Sequence, residues 1–185
     1  EVLPEWWEKN SCADRVFNIW SAGCSTGEEA YTLAIVLNEF AEKTPGFRYS
    51  VLGTDISNEV VQTAQRAVYP VEKVEEFSEG IKRKYLMRSK DKKVNKVRVV
   101  PEMRNQVRFR VLNFLDEFAI KQTMDVIFCR NVIIYFEKAV QEHLLQKLYS
   151  HLNPGGHLFV GHSETLAGLQ VPLQLVRPTV YKKPD

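Results

Sequence analysis

The chain has 185 residues, 44% of them hydrophobic and 26% charged, a balance that excludes a disordered polypeptide and suits one globular unit with a real core. Its net charge of +2 is too small to point to nucleic acid, and no apolar run approaches the roughly 20 residues of a membrane-spanning helix. The opening EVLPEWWEKN lacks the form of a signal peptide, and Cys12, Cys24 and Cys129 are too scattered for disulfides or zinc, so a reducing, cytoplasmic setting without a metal is expected.

In chain order, Glu1 to Pro4 read as lying inside a helix that leads to the first strand, residues 16–22 (VFNIWSA). Gly27 to Phe40 reads as a helix, with Ala30, Leu33, Ala34, Leu37 and Ala41 forming an apolar stripe at helical spacing. Pro45-Gly46 interrupts, and residues 49–54 form a second strand ending at Asp55. Ser57 is a good N-cap for the next helix, whose inner face carries Val60, Val61 and Ala64. This alternation predicts an α/β fold, a parallel sheet with crossover helices.

A different segment follows, from about Pro70 to Asn105, and carries Lys82, Arg83, Lys84, Arg88, Lys90, Lys92, Lys93, Lys96 and Arg98. It reads as a small antiparallel insertion whose last strand, around Val94 to Val100, pairs with residues 107–112 as a hairpin. Such a charge run is either a solvated face or a landing surface for an acidic partner. The α/β pattern then resumes. Residues 107–112 lead into Asn113, and 125–129 form a buried strand ending at Arg130-Asn131. Glu137 to Leu152 is an amphipathic helix stopped by Asn153-Pro154-Gly155-Gly156, followed by strands at 157–162 and 179–182.

The chemistry gathers where strands end, which is where open parallel sheets bind ligands. In IWSAGCSTGEEAY, Gly23 and Gly27 are four apart, which misses the G-x-G-x-x-G spacing of dinucleotide sites. Glu28 and Glu29 open the helix; they would repel a pyrophosphate and could accept hydrogen bonds from an ammonium group. Asp55 at the end of the second strand suits two ribose hydroxyls. Taken singly, Asp55-Ile56-Ser57 could be only a helix start, and the glycine turn only a tight connection. In register, they favour a nucleoside that carries a cation and an amino acid, the make-up of S-adenosylmethionine.

Ser21 to Gly27 is similar to the first motif of class I S-adenosylmethionine-dependent methyltransferases, with Ser21 in place of its acid and Ser25 in place of a glycine. SAGCSTGEEAYTLAI, GTDIS, VLNF, DVIFCRNVIIYF, LNPGGHLFVGHSE and TVYKK together resemble the CheR-type protein-glutamate methyltransferases of bacterial chemotaxis, in order and spacing over nearly the whole chain. The resemblance implies a doubly wound, mostly parallel Rossmann-like sheet over residues 1–185, a small basic helix and β-hairpin insertion around 70–106, and an antiparallel last strand. It implies methyl transfer from S-adenosylmethionine, leaving S-adenosylhomocysteine, to glutamates of a chemoreceptor, in a cytoplasmic bacterial protein; nothing in the sequence forces more than a monomer.

Carried over residue by residue, Ala22, Gly23, Cys24 and Glu28 would line the methionine part of the cofactor. Asp55 would take the ribose, Asn113 and Phe114 would border the adenine, and Arg130 and Asn131 would close the pocket near the sulfonium. Tyr135 falls where the family keeps a tyrosine near the transferring methyl. A carboxylate acceptor needs no general base, and the sequence offers no acid/base dyad. His162-Ser163-Glu164 is not a triad; it is assigned to structure, shaping the pocket rim. The family's N-terminal helical domain and its Asn-x-Thr-x-Phe-Phe-Arg segment do not occur in these residues. In the family the insertion can dock a receptor tail, and the basic run points the same way here. Two other readings remain: a module that binds S-adenosylmethionine without catalysis, and a nicotinamide-dependent oxidoreductase, against which the glycine spacing and Glu28-Glu29 count.

Overall fold

The computed structural model describes residues 1–12, 14–91 and 93–185, so Lys92 of the basic run lies outside the described residues. Helix α1 (Val2–Asn10) leads to β1 (Phe17–Ala22), α2 (Glu28–Lys43), β2 (Tyr49–Asp55) and α3 (Asn58–Arg66). Next come β3 (Val68–Pro70), α4 (Glu79–Tyr85), β4 (Leu86–Arg88), β5 (Lys96–Val99) and α5 (Pro101–Gln106). The chain closes with β6 (Val107–Val111), β7 (Met124–Cys129), α6 (Lys138–His151), β8 (Leu152–Val160), β9 (Gln174–Arg177) and β10 (Val180–Lys182).

Among the described residues the strands make a seven-stranded sheet, ordered β6-β2-β1-β7-β8-β10-β9, and a three-stranded sheet, β3-β5-β4. The first five strands of the large sheet run parallel; β10 is antiparallel to β8 and to β9. This is the mostly parallel α/β sheet with a small antiparallel addition and a reversed last strand that the sequence predicts. The order turns back at β1, so the ends of β1, β2 and β7 converge where such sheets hold ligands.

The period-2 alternation of the central strands divides the core. Phe17, Ile19, Val51 and Val126 pack towards Ala30, Ala34 and Leu37 of α2. Trp20, Ile127, Cys129 and Leu158 pack towards Leu144, Leu145 and Leu148 of α6. Trp20 is fully buried, and its indole N–H donates to Thr54 Oγ1 at 2.9 Å, so its one polar side-chain group is paired. Ser57 caps α3 as expected, its Oγ accepting from Val60 N at 3.5 Å.

The expected hairpin between residues 94–100 and 107–112 does not form. β5 pairs with β3 and β4, whereas β6 lies parallel to β2 at the edge of the large sheet, with Val107 opposite Val51. The cause is α5: Pro101 opens a helical turn, which cannot serve as a tight hairpin connection. Buried Val107 then joins the main core. The stop expected at residues 153–156 ends α6 but lies inside β8, where Gly155 at φ +72° accommodates an irregular register. Within the small sheet's segment, Lys82 pairs with Glu79, and Lys84 reaches Glu39 and Glu42 of α2. Arg83, Arg88, Lys90, Lys93 and Lys96 are exposed.

Candidate functional site

Four connections meet at the C-terminal end of the parallel strands. After β1, Gly23 N and Cys24 N both donate to Thr54 O at 2.8 Å, Ser25 N donates to Asp55 Oδ2 at 2.9 Å, and Gly27 N to Cys24 O at 2.9 Å. The amides of Gly23, Cys24, Ser25 and Gly27 are thus engaged within the protein, and the first turn of α2 that follows carries Glu28 and Glu29. Both glycines adopt left-handed conformations, Gly23 at φ +84° and Gly27 at φ +92°. A Cβ on Gly23 would lie 2.4 Å from Val132 Cγ2, and one on Gly27 would lie 2.7 Å from the Ala64 Cβ. The glycines thus let the loop pack against the β7 exit and α3.

Asp55 caps the second connection. Its Oδ1 accepts from Ser57 N at 3.0 Å and its Oδ2 from Ser25 N, so each oxygen keeps lone-pair capacity for a further donor. The β6 exit lies alongside, since Leu112 N donates to Asp55 O at 2.8 Å. There Asn113 Oδ1 accepts from Leu115 N at 3.1 Å and fixes a turn. The ring of Phe114 is buried against Trp20 and Phe118, which leaves mainly its backbone to border a ligand. Ile56, beside Asp55, and Leu115 are exposed apolar side chains at this mouth that the sequence reading did not single out.

The two glutamates at the start of α2 separate. Glu28 bonds Thr26 Oγ1 and faces Lys73 Nζ at 3.5 Å, away from the strand ends. Glu29 accepts from the buried Ser21 Oγ at 2.8 Å and pairs with Arg130 at 3.2 Å. Of the two, Glu29 is the one beside the β1 and β7 ends, and Glu28, expected to line the cofactor, lies beside Thr26 and Lys73. Successive helical residues point about 100° apart, so only one of the pair can face the strand ends. Ser21, standing where the related motif has an acid, was the readable signal for a carboxylate supplied from elsewhere.

Around this loop the charge is negative. The buried Cys24 thiol is pushed up to about 12 by burial and next by Asp55, with Glu29 and Glu28 adding to it. A thiol so held is no nucleophile at neutral pH. Ala22 is buried at the end of β1. After β7 come Arg130, then Asn131 at φ +57°, then a short 3-10 turn over Ile133–Tyr135. Tyr135 is 79% exposed, so its ring stands out from the turn. The structure brings together Ser21, Glu29 and Arg130, and separately Ser25 with Asp55; it turns Glu28 and the Phe114 ring away.

Residues 1–182 match the family model described as CheR methyltransferase, SAM binding domain. The chain is 38% identical over 187 residues to the chemotaxis protein methyltransferase of Borreliella burgdorferi, covering 99% of this chain and 64% of that protein. It is 38% identical to chemotaxis protein methyltransferase 2 of Pseudomonas aeruginosa, over 90% of this chain and 60% of the relative. The Escherichia coli chemotaxis protein methyltransferase is 37% identical, over 89% and 58%. The chain thus spans less than two thirds of the length of these curated relatives. Among solved structures, PKMT2 from Rickettsia typhi in complex with AdoHcy is similar at a TM-score of 0.47 and 23% identity, over 78% of this chain and 20% of that one. Among the described residues no helix is long and apolar enough to cross a membrane. With a family match from residue 1 to residue 182, the chain belongs to the CheR methyltransferases, as their S-adenosylmethionine-binding domain.

Proposed function

We propose that the full-length protein transfers a methyl group from S-adenosylmethionine to glutamate side chains of bacterial chemoreceptors, forming γ-glutamyl methyl esters. The observation that carries this is the pair of carboxylates, Asp55 and Glu29, left to accept hydrogen bonds beside a loop whose Gly23, Cys24, Ser25 and Gly27 amides are already paired. Carboxylates so placed fit a cationic nucleoside with a free amino group, and would repel a pyrophosphate. The relatives' names, chemotaxis protein methyltransferase, support the setting.

In this reading Asp55 accepts from the two ribose hydroxyls and Glu29 accepts from the ammonium group. Ala22, Gly23 and Cys24 wall the methionine part. The Asn113-Phe114 backbone and Ile56 border the adenine. Arg130 holds Glu29 in place, and Asn131 closes the side of the reacting methyl. The cofactor supplies a methyl group on a positive sulfur that is already an activated leaving group. The acceptor carboxylate, with an ordinary pKa near ~4.3, is ionised at neutrality and needs no base. The protein's work is then alignment and exclusion of water. Tyr135 stands exposed at the mouth, where a protein substrate has room to meet it, and its hydroxyl donates to one oxygen of the acceptor carboxylate.

Tyr135→Phe in the full-length protein is expected to lower methyl transfer by about tenfold, the order of one hydrogen bond to a charged group. Unchanged turnover would remove the hydroxyl from the mechanism. The exposed Arg83, Arg88, Lys90, Lys93 and Lys96 are proposed to dock an acidic receptor tail. Binding of receptor-tail peptides at low salt that weakens as salt rises is the expected result. No binding at low salt would leave a solvated face.

A further inference from the structure

Glu164 is a buried carboxylate, only 5% exposed, in the connection after β8. Its Oε1 accepts from Val132 N and Ile133 N at 2.9 Å and from Ile134 N at 3.3 Å. Its Oε2 accepts from Asn131 N at 2.9 Å and from Gly161 N at 2.6 Å. Four successive amides of the β7 exit thus converge on one side chain about thirty residues later in the chain. The opposite pole of the same turn is held from α6, where Gln141 Nε2 donates to Ile133 O and Phe136 O, both at 2.9 Å.

The neighbourhood leaves no slack. A Cβ on Gly161 would lie 2.5 Å from Asn131 Oδ1 and 2.7 Å from Glu164 Oε2. Asn131 is held at φ +57°, a conformation that needs support from its surroundings. A buried carboxylate requires donors, and turn amides with no helical partner require acceptors, so each satisfies the other.

We propose that Glu164 is a positioning residue for methyl transfer: it touches neither reactant, and presets the Asn131–Tyr135 turn so that Tyr135 and Asn131 meet the acceptor in one geometry. Gln141 is its counterpart on the carbonyl side. The proposal rests on the role given to Tyr135 above, and deepens it.

Glu164→Gln keeps the shape but puts an NH2 donor opposite some of the amides. In the full-length protein kcat is expected to fall about thirtyfold. Affinity for S-adenosylhomocysteine should fall by no more than about threefold, because Asp55 stands on another loop and Glu29 keeps its bond from Ser21 Oγ even if Arg130 shifts. Adding Tyr135→Phe to Glu164→Gln should cost no more than about twofold further, since a displaced hydroxyl has little left to lose. An additive tenfold loss, or an unchanged kcat, would overturn the proposal. Amide exchange at residues 131–134 should quicken at least about tenfold while β1 and β2 keep their protection; unaltered exchange there would also overturn it. Should Glu164→Gln fail to fold, Gln141→Leu loosens the other pole and should show the same non-additivity with Tyr135→Phe, with additivity counting against the proposal. An inactive wild-type protein would instead refute the proposed function, while the exchange data still decide whether Glu164 holds the turn.

Discussion

Asp55→Ala weakens S-adenosylmethionine binding by about a hundredfold or more, measured by calorimetry on the full-length protein. Hydrogen bonds to a charged acceptor contribute about 1.5–3 kcal/mol each, and a ribose diol makes two. Loss of even about 2.7 kcal/mol is a hundredfold in affinity. The same side chain also holds the loop, because Ser25 N and Ser57 N both donate to it. Ser25 sits at φ +49° and depends on that bond to stay there. Asp55→Asn should fall between the extremes, since it keeps one carbonyl oxygen but sets an NH2 against one of those amides. An Asp55→Ala protein that binds with wild-type affinity would remove the ribose assignment.

Gly27→Ala should destabilise the fold by about 2–5 kcal/mol. The left-handed conformation costs a residue with a Cβ about 1–2 kcal/mol. Overpacking a close contact adds about 1–3 kcal/mol, and here the new Cβ would lie 2.7 Å from Ala64 Cβ and 3.1 Å from Ala64 Cα, part of a helix backbone that cannot step aside. For a chain of this size each kcal/mol lowers the melting temperature by about 2–4 °C, so a fall near 10 °C is expected in thermal denaturation. Gly80→Ala is the control: the nearest atom to its new Cβ is Ser78 Oγ at 3.9 Å and its helix welcomes alanine, so no loss is expected. Equal melting temperatures for the two variants would contradict this account of the α2–α3 packing.

What could be read from the sequence was local. The strands ending at Ala22, Asp55 and Cys129 announce themselves by apolar runs followed by small or polar residues, and Ser57 announces a helix start. Those cues place the ends of β1, β2 and β7 at one edge of the parallel sheet, as the structure has them. Pairing between distant strands is another matter. The alternation in Val107–Val111 is equally good for a hairpin with β5 or for an edge position beside β2, and the intervening turn of α5 decides it. β9 exposes all four of its residues, so no burial pattern could reveal it. Which of Glu28 and Glu29 lies beside Ser21 and Arg130 depends on a helix phase that follows from Gly27. Glu164 was assigned to the pocket rim from sequence, yet its four partners at residues 131–134 become visible only when β7 and β8 lie side by side.

The proposed activity also explains why the site holds no obvious catalytic base. An ionised acceptor and an activated methyl leave geometry as the main demand, and the hydrogen bonds at Asp55, Glu29 and Glu164 hold backbone or carboxylates in place. The direct test is transfer of radiolabelled methyl from S-adenosylmethionine to chemoreceptor-containing membranes by the full-length protein, followed by mild alkali. Label on the receptor that alkali releases as methanol is the predicted result, the mark of a carboxyl methyl ester. No label on the receptor, or label that withstands alkali, would contradict glutamate esterification.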